Sequence, residues 1–225
     1  MTEPGINVVA LISGRGSNLQ AIIDQAQSGN LPITLCAVIS DNANAAGLER
    51  ARKAGIPALV IEPKSHDSKI NFEQALIKHI DDYQPDLVVL AGFMRILTKE
   101  FVQHYTGRLI NVHPSLLPAY PGLNTHARAL ADNASWHGAT VHFVTPEVDA
   151  GPVIIQAAVP VKKTDTTKTL AARVLEQEHR IYPMAIRWIA QKRLQILGNK
   201  VLLDGKQREE QGLIKPDLTP TPYPQ

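Results

Sequence analysis

At 225 residues the chain is long enough for one large core or two small ones. Its 23 Lys and Arg against 21 Asp and Glu leave a formal charge of +2, which demands neither nucleic acid nor an anionic membrane as a partner; its one cysteine, Cys36, excludes an internal disulfide. No segment reaches transmembrane length, and the start, M-T-E-P-G-I-N, lacks the basic and apolar runs of a signal peptide, so a soluble cytoplasmic protein is expected.

In chain order, Asn7–Ser13 is a short apolar run that ends in Gly14-Arg15-Gly16-Ser17-Asn18, after which Leu19, Ile22, Ile23 and Ala26 fall at helical spacing. This reads as strand, glycine loop, helix. A second buried strand is expected over Ile33–Ser40, then a helix over Ala46–Ala54 closed by Gly55 with Pro57 just beyond. Ala58–Ile61 reads as a third strand, Ile70–Tyr83 as an amphipathic helix through Phe72, Leu76, Ile77 and Ile80, and Asp86–Ala91 as a fourth strand. These strands are continuous apolar runs, which suits a sheet covered on both faces and wound with right-handed crossovers. The expected fold class is α/β, an open, mostly parallel twisted sheet with helices on both faces.

Thr98 is expected to cap a short helix ending near Tyr105, which leads into a strand over Leu109–His113. Trp136–Thr145 then alternates and Val153–Val161 is extended; with only a short loop between them, an antiparallel addition near one side of the sheet is expected. Thr167–Gln191 is a long helical pattern that Pro183 should kink or restart. The organisation expected is a single domain over residues 1–205 and a loose proline-rich tail over 206–225.

The stretch L-I-N-V-H-P-S-L-L-P-A-Y-P-G, Leu109–Gly122, is where chemistry is expected. Asn111 and His113, two apart in a strand, project from one face, and Pro114 ends the strand beside them. An amide donor next to an imidazole that titrates near neutrality can clamp an oxyanion and act as a general acid. The same spacing also fits an Asn capping a turn beside a surface His. Gly14–Asn18 offers backbone N–H groups and a hydroxyl at a helix N-terminus, suited to a phosphate, or it is an ordinary tight turn. Leu19 replaces the third glycine of a dinucleotide fingerprint and no G-K-[ST] follows, so neither NAD nor a P-loop nucleotide is indicated. Asp149, in T-P-E-V-D-A-G-P, can reach a neighbouring His or close an Asx turn. His126, His137 and His142 lack zinc-ligand spacing, and no metal is expected.

Taken together, I-S-G-R-G-S-N-L-Q, L-A-G-F-M-R-I-L, I-N-V-H-P-S-L-L-P-A-Y-P-G, H-G-A-T-V-H-F-V and V-D-A-G-P-V-I-I-Q resemble the phosphoribosylglycinamide formyltransferase family in content and order, from about Asn7 to about Trp188. The resemblance implies transfer of the formyl group of 10-formyltetrahydrofolate, as co-substrate, to the amine of 5-phosphoribosylglycinamide in purine synthesis. It implies Asn111, His113 and Asp149 as the catalytic trio, Gly16, Ser17 and Asn18 on the substrate phosphate, and Glu178 on the ribose or glycinamide part. Around the folate it implies Met94, Arg95, Ile96, Leu97 and Asn111, with the loop Thr145, Pro146, Glu147, Val148 and Asp149. Lys69 stands where some members carry an Arg toward the folate glutamate tail, and Leu175 where some carry a Gln near the phosphoribosyl group. Lys keeps the charge without bidentate geometry; Leu cannot hydrogen-bond.

The His113 motif and the late Asp are shared with methionyl-tRNA formyltransferase and formyltetrahydrofolate deformylase, which lack G-x-G-S-N after the first strand; a basic carboxy-terminal tRNA domain is not expected here. Deformylase, in which water replaces the amine, is the rival reading, and a non-enzymatic folate-binding protein a third. Small-molecule partners only, and a monomer or homodimer, complete the expectation.

Overall fold

The structure, a computed structural model, describes residues 5–206 and Leu213–Ile214. The strands are β1 (Ile6–Ile12), β2 (Ile33–Ser40), β3 (Ala58–Val60), β4 (Leu87–Leu90), β5 (Leu109–His113), β6 (Trp136–Phe143), β7 (Val153–Pro160), β8 (Leu194–Leu197), β9 (Lys200–Leu203) and β10 (Leu213–Ile214). Between them lie the helices α1 (Ser17–Gln27), α2 (Ala46–Lys53), α3 (Lys69–Asp81), α4 (Lys99–His104), α5 (Thr125–Ala131) and α6 (Thr167–Ala190). One sheet runs in the order β3-β2-β1-β4-β5-β6-β7-β10. It is parallel from β3 to β5, antiparallel at the β5–β6 and β6–β7 pairings, and parallel again where β10 meets β7. The α/β class and the antiparallel addition are therefore as the sequence implies.

Alternation along β1 explains the two helix layers. Val8, Ala10 and Ile12 pack with Leu19, Ile22 and Ile23 of α1, Leu48 of α2, and Leu170, Val174 and Ile181 of α6. Val9 and Leu11 face the other way, against Phe72, Leu76 and Ile80 of α3 and Phe101 and Tyr105 of α4. β6 does not alternate as its sequence suggests: every residue after Trp136 is buried, because the strand lies between β5 and β7 and is covered on both faces.

Two expectations change at the carboxyl-terminal part. α6 is continuous through Pro183, so the residue that cannot donate to the preceding turn neither restarts the helix nor breaks it. Its start is fixed by a reciprocal cap, Thr169 N–H to the Thr166 hydroxyl and Thr166 N–H to the Thr169 hydroxyl. β8 and β9 form a separate two-stranded hairpin that the sequence reading passed over, as it did α5. Most of the expected tail, residues 206–225, lies outside the described residues; Leu213–Ile214 within it pair with Gln156 and Ala157. Among the described residues no helix is long and apolar enough to cross a membrane.

β1 lies between β2 and β4, so the direction of winding reverses between β1 and β4. Ligands of open α/β sheets bind beyond the carboxyl ends of the strands at such a reversal. Here the loops that follow β1 and β4 meet: Ser13 N–H donates to the Gly92 carbonyl, and Met94 N–H donates to Ser13 Oγ.

Candidate active site

The carboxyl end of β5 carries Asn111 and His113. Asn111 sits opposite Leu90 of β4 on one side and His142 of β6 on the other, so pairing alone brings His142 to the Asn111 side chain. The Asn111 amide nitrogen lies 3.4 Å from His142 Nε2. His142 Nδ1 donates to the Phe143 carbonyl at 2.9 Å, which fixes the tautomer and leaves Nε2 as an acceptor for the amide. Burial pushes the His142 pKa down, against the opposing pull of the Phe143 carbonyl and Asp149, so a neutral ring that accepts from Asn111 suits its surroundings.

β6 runs opposite to β5, and Val144 at its end bonds the Leu109 carbonyl, far from His113 along β5. The loop from Val144 to Pro152 then folds back and returns Asp149 to the strand end. Asp149 Oδ2 lies 3.4 Å from His113 Nδ1, and Oδ1 lies 3.8 Å from His142 Nε2. Oδ2 also accepts the Gly122 N–H at 2.8 Å, so the proline-rich turn after β5 holds the carboxylate in place. The Asp149 backbone has φ 54°, a left-handed conformation that Asp tolerates better than most residues. On its other side, His113 Nε2 lies 2.9 Å from the Tyr120 carbonyl. Both ring nitrogens of His113 thus face oxygen acceptors, and only the doubly protonated ring can donate to both. The His113 and Asp149 side chains are 8% and 10% exposed, so the two groups meet largely out of water.

Beyond the carboxyl end of β1, Gly16 N-caps α1 with φ 68°, and the first intrahelical bond is made by Gln20 N–H to the Gly16 carbonyl. The N–H groups of Ser17, Asn18 and Leu19 precede that bond, as at any helix start, and form an anion-receptive end. A Cβ on Gly16 would stand 2.6 Å from Gly47 Cα of α2, so this loop lies flat against the next helix. Asn18 Nδ2 donates to Glu178 Oε2 of α6 at 2.6 Å, while Asn18 Oδ1 is buried with no partner. Burial pushes the Glu178 pKa up and the Asn18 bond pulls it down. Leu175 sits on the same helix, partly buried.

The loop between β4 and α4 exposes Met94 and Ile96, each at 69%, and beyond the β6–β7 turn Val148 is 52% exposed. Thr145 Oγ1 donates to the Glu147 carbonyl within that turn. The Arg95 side chain is tied to Asp41 and that of Lys69 to Glu73, 3.8 Å away. His126 Nδ1 and His137 Nε2 meet at 3.1 Å; burial, then His126 and His113, push His137 down to about 4. Among the described residues no three His, Cys, Asp or Glu gather as metal ligands would.

The structure thus brings together Asn111, His113 and Asp149, and separately Gly16, Ser17, Asn18 and Glu178. Sequence reasoning missed His142 as their neighbour and the Tyr120 carbonyl and Gly122 N–H as supports. The β5–β6 register is the signal that finds His142; nothing in the side chains of Tyr120 or Gly122 announces a backbone role.

The chain matches the formyl transferase family over residues 6–186. It is 53% identical over 207 residues to the phosphoribosylglycinamide formyltransferase of Escherichia coli (strain K12), covering 92% of this chain and 98% of that one. The solved phosphoribosylglycinamide formyltransferase of Coxiella burnetii superposes with a TM-score of 0.89 at 51% identity, over 94% of this chain and 100% of that one. A formyltetrahydrofolate deformylase from Pseudomonas syringae pv. tomato shares the fold at a TM-score of 0.82 but is 26% identical, over 89% of this chain and 66% of that one. On fold, cleft and likeness over nearly its whole length, the chain belongs to the phosphoribosylglycinamide formyltransferase family within the formyl transferases.

Proposed function

We propose that this chain transfers the formyl group of 10-formyltetrahydrofolate to the amine of 5-phosphoribosylglycinamide, within a single unit over residues 1–205, in the cytoplasm, as a monomer or homodimer. The observation that carries the reading is the Asn111–His113–Asp149 group at the carboxyl end of β5, on the same sheet edge as the α1 N-terminus that follows β1. The co-substrate fits what surrounds it: a flat bicyclic ring needs apolar walls and backbone polar partners, and Met94, Ile96 and Val148 hold exposed apolar side chains on loops. When bound, it supplies an electrophilic formyl carbon.

The residues of this chain act on either side of that carbon. The neutral amine attacks, negative charge grows on the formyl oxygen, and the C–N bond to the folate then breaks. Asn111 gives one amide hydrogen to His142, which fixes the amide plane, and turns the other to the oxyanion. Doubly protonated His113 places its positive charge beside that oxygen, held by Asp149 and the Tyr120 carbonyl. Asp149, directly or through water, takes the proton that the attacking nitrogen loses and returns it to the leaving folate nitrogen. Ser17 and Asn18 offer backbone N–H groups to the phosphate, Gly16 lets that loop close, and Glu178, anchored by Asn18, accepts hydrogen bonds from the ribose or glycinamide. Met94, Arg95, Ile96, Leu97, Thr145, Pro146, Glu147 and Val148 frame the folate, and Lys69 stands near its glutamate end. No step is routed through a metal.

The test is absorbance-monitored conversion of 10-formyltetrahydrofolate to tetrahydrofolate, with and without 5-phosphoribosylglycinamide, and mass spectrometry of the products. Turnover that requires the amine and yields its formylated form supports the transferase; formate release without the amine would make the chain a hydrolase of the deformylase type.

A further inference from the structure

Arg95 is the one strongly charged side chain in the M-R-I-L loop, and its guanidinium does not point to a free position. Its Nε donates to Asp41 Oδ2 at 2.5 Å, and the guanidinium carbon lies 5.7 Å from the centre of the Phe72 ring. Asp41 follows directly on β2, and its side chain is 6% exposed; its second oxygen, Oδ1, is buried and has no partner. A carboxylate so enclosed, with one cation beside it, holds that cation firmly.

The loop is tied on either side of Arg95 as well. Met94 N–H donates to Ser13 Oγ beyond β1. Thr98 donates through both its N–H and its hydroxyl to Glu73 of α3, and its hydroxyl in turn caps α4. Three elements thus grip residues 94, 95 and 98, while the Met94 and Ile96 side chains are left 69% exposed. Such an arrangement fixes the backbone of the loop before any ligand arrives, and a binding loop fixed in advance saves ordering entropy on binding.

We propose that Asp41 is a positioning residue for the folate pocket: by holding the Arg95 side chain against Phe72, it sets the backbone of Met94–Leu97 in the geometry that receives the co-substrate, and Arg95 serves through its backbone, not as a cation on the ligand. The inference rests on the proposed folate pocket. Arg95 is 44% exposed in its side chain, so the pair is weaker than a fully buried one, and an effect of about fivefold is expected.

Asp41→Asn, Arg95→Met and the double variant test it by two independent readings. Hydrogen exchange of residues 92–98 in the ligand-free protein reads the clamp alone: exchange should quicken about fivefold in each single variant and no further in the double. KM for 10-formyltetrahydrofolate should rise by a similar factor in each, again without multiplying in the double, while in Asp41→Asn, which touches neither substrate, KM for 5-phosphoribosylglycinamide stays within twofold. Unchanged exchange in Arg95→Met, whose own side chain is 44% exposed, would overturn the clamp even if Asp41→Asn did not fold. Faster exchange with an unchanged folate KM would keep the clamp and overturn its service to the folate pocket. Multiplying effects in the double variant would show two separate contacts and overturn the pairing.

Discussion

Gly16→Ala separates two demands on the glycine loop that opens α1, and the structure supplies its own control. Gly16 has φ 68° and Gly55 has φ 73°, so alanine at either position must adopt the left-handed conformation, at a cost of about 1–2 kcal/mol. At Gly55 nothing lies within 4 Å of the new Cβ, and that cost is the whole effect. At Gly16 the Cβ would stand 2.6 Å from Gly47 Cα, against 3.4 Å for an ordinary contact, so two backbones must part by about 0.8 Å. Overpacking of that kind adds about 1–3 kcal/mol. Gly16→Ala should therefore lose about 2–5 kcal/mol, a fall in Tm of roughly 4–20 °C for a chain of this size, and Gly55→Ala about a third to a half of that. Urea unfolding of the two variants reads the difference directly. In the folded fraction of Gly16→Ala, KM for 5-phosphoribosylglycinamide should rise more than KM for the folate, because the shifted backbone carries the Ser17 and Asn18 N–H groups. Equal destabilisation by the two substitutions would refute the close approach of the loop to α2. A larger substitution such as valine would only deepen the folding defect and hide the binding effect.

His113→Ala should lower kcat by about 10² to 10⁴ with the protein still folded, and near-normal turnover would remove His113 from the mechanism. Asp149→Asn keeps an acceptor for the Gly122 N–H but loses the charge beside His113 and His142, so a comparable loss with a flatter pH–rate profile is expected; a profile unchanged in shape would deny the coupling. Burial raises the Glu178 pKa above its ordinary 4.5, so folding favours the protonated acid, and wild-type stability falls as pH rises from that value through the folded pKa. Glu178→Gln should accordingly gain stability over wild type at pH 7, with the gain vanishing near pH 4, while KM for the amine substrate rises; urea unfolding at both pH values decides, and a gain independent of pH would contradict the burial effect. The fully buried Tyr182 hydroxyl reaches the Leu90 and Ile110 carbonyls of adjoining strands at 3.1 and 3.2 Å, and Tyr182→Phe should lose about 1 kcal/mol in the same assay; no loss would mean the hydroxyl is idle.

The parallel half of the sheet was legible because its strands are apolar on both faces and are separated by well-marked helices. Ile33–Ser40 has the bounds that its residues suggest, and Thr98 caps α4 by accepting the Phe101 N–H. The β8–β9 hairpin escaped because, of its strand residues, only Val201 is buried, and a single core residue gives no periodicity. Its signal was present in Gly198-Asn199, two turn residues between L-Q-I-L and K-V-L-L. α5 follows a proline-rich stretch and spans only seven residues, too few for a period to emerge. Pro183 does not restart the helix, and sequence alone does not show how firmly α6 is packed on both sides of it, with Ile181, Tyr182, Ala185 and Ile186 all buried. In the site, side-chain chemistry left Asn111, His113 and Asp149 each with an ordinary turn reading and the family resemblance joined them; their supports are backbone groups and a cross-strand neighbour, which only register and loop path reveal.

The Asn18–Glu178 contact has a bearing on how this protein responds to selection. A buried carboxyl and an amide oxygen without a partner are tolerated where α1 meets α6, although apolar residues of similar size would pack there at lower free energy. A search for heat-resistant variants scored without substrate would be drawn to positions 18 and 178 and would return stable, inactive proteins. The same search scored with the proposed ribonucleotide substrate present would leave both residues alone, since a ligand that satisfied these groups would shift the folding equilibrium toward the native state in proportion to how tightly it binds.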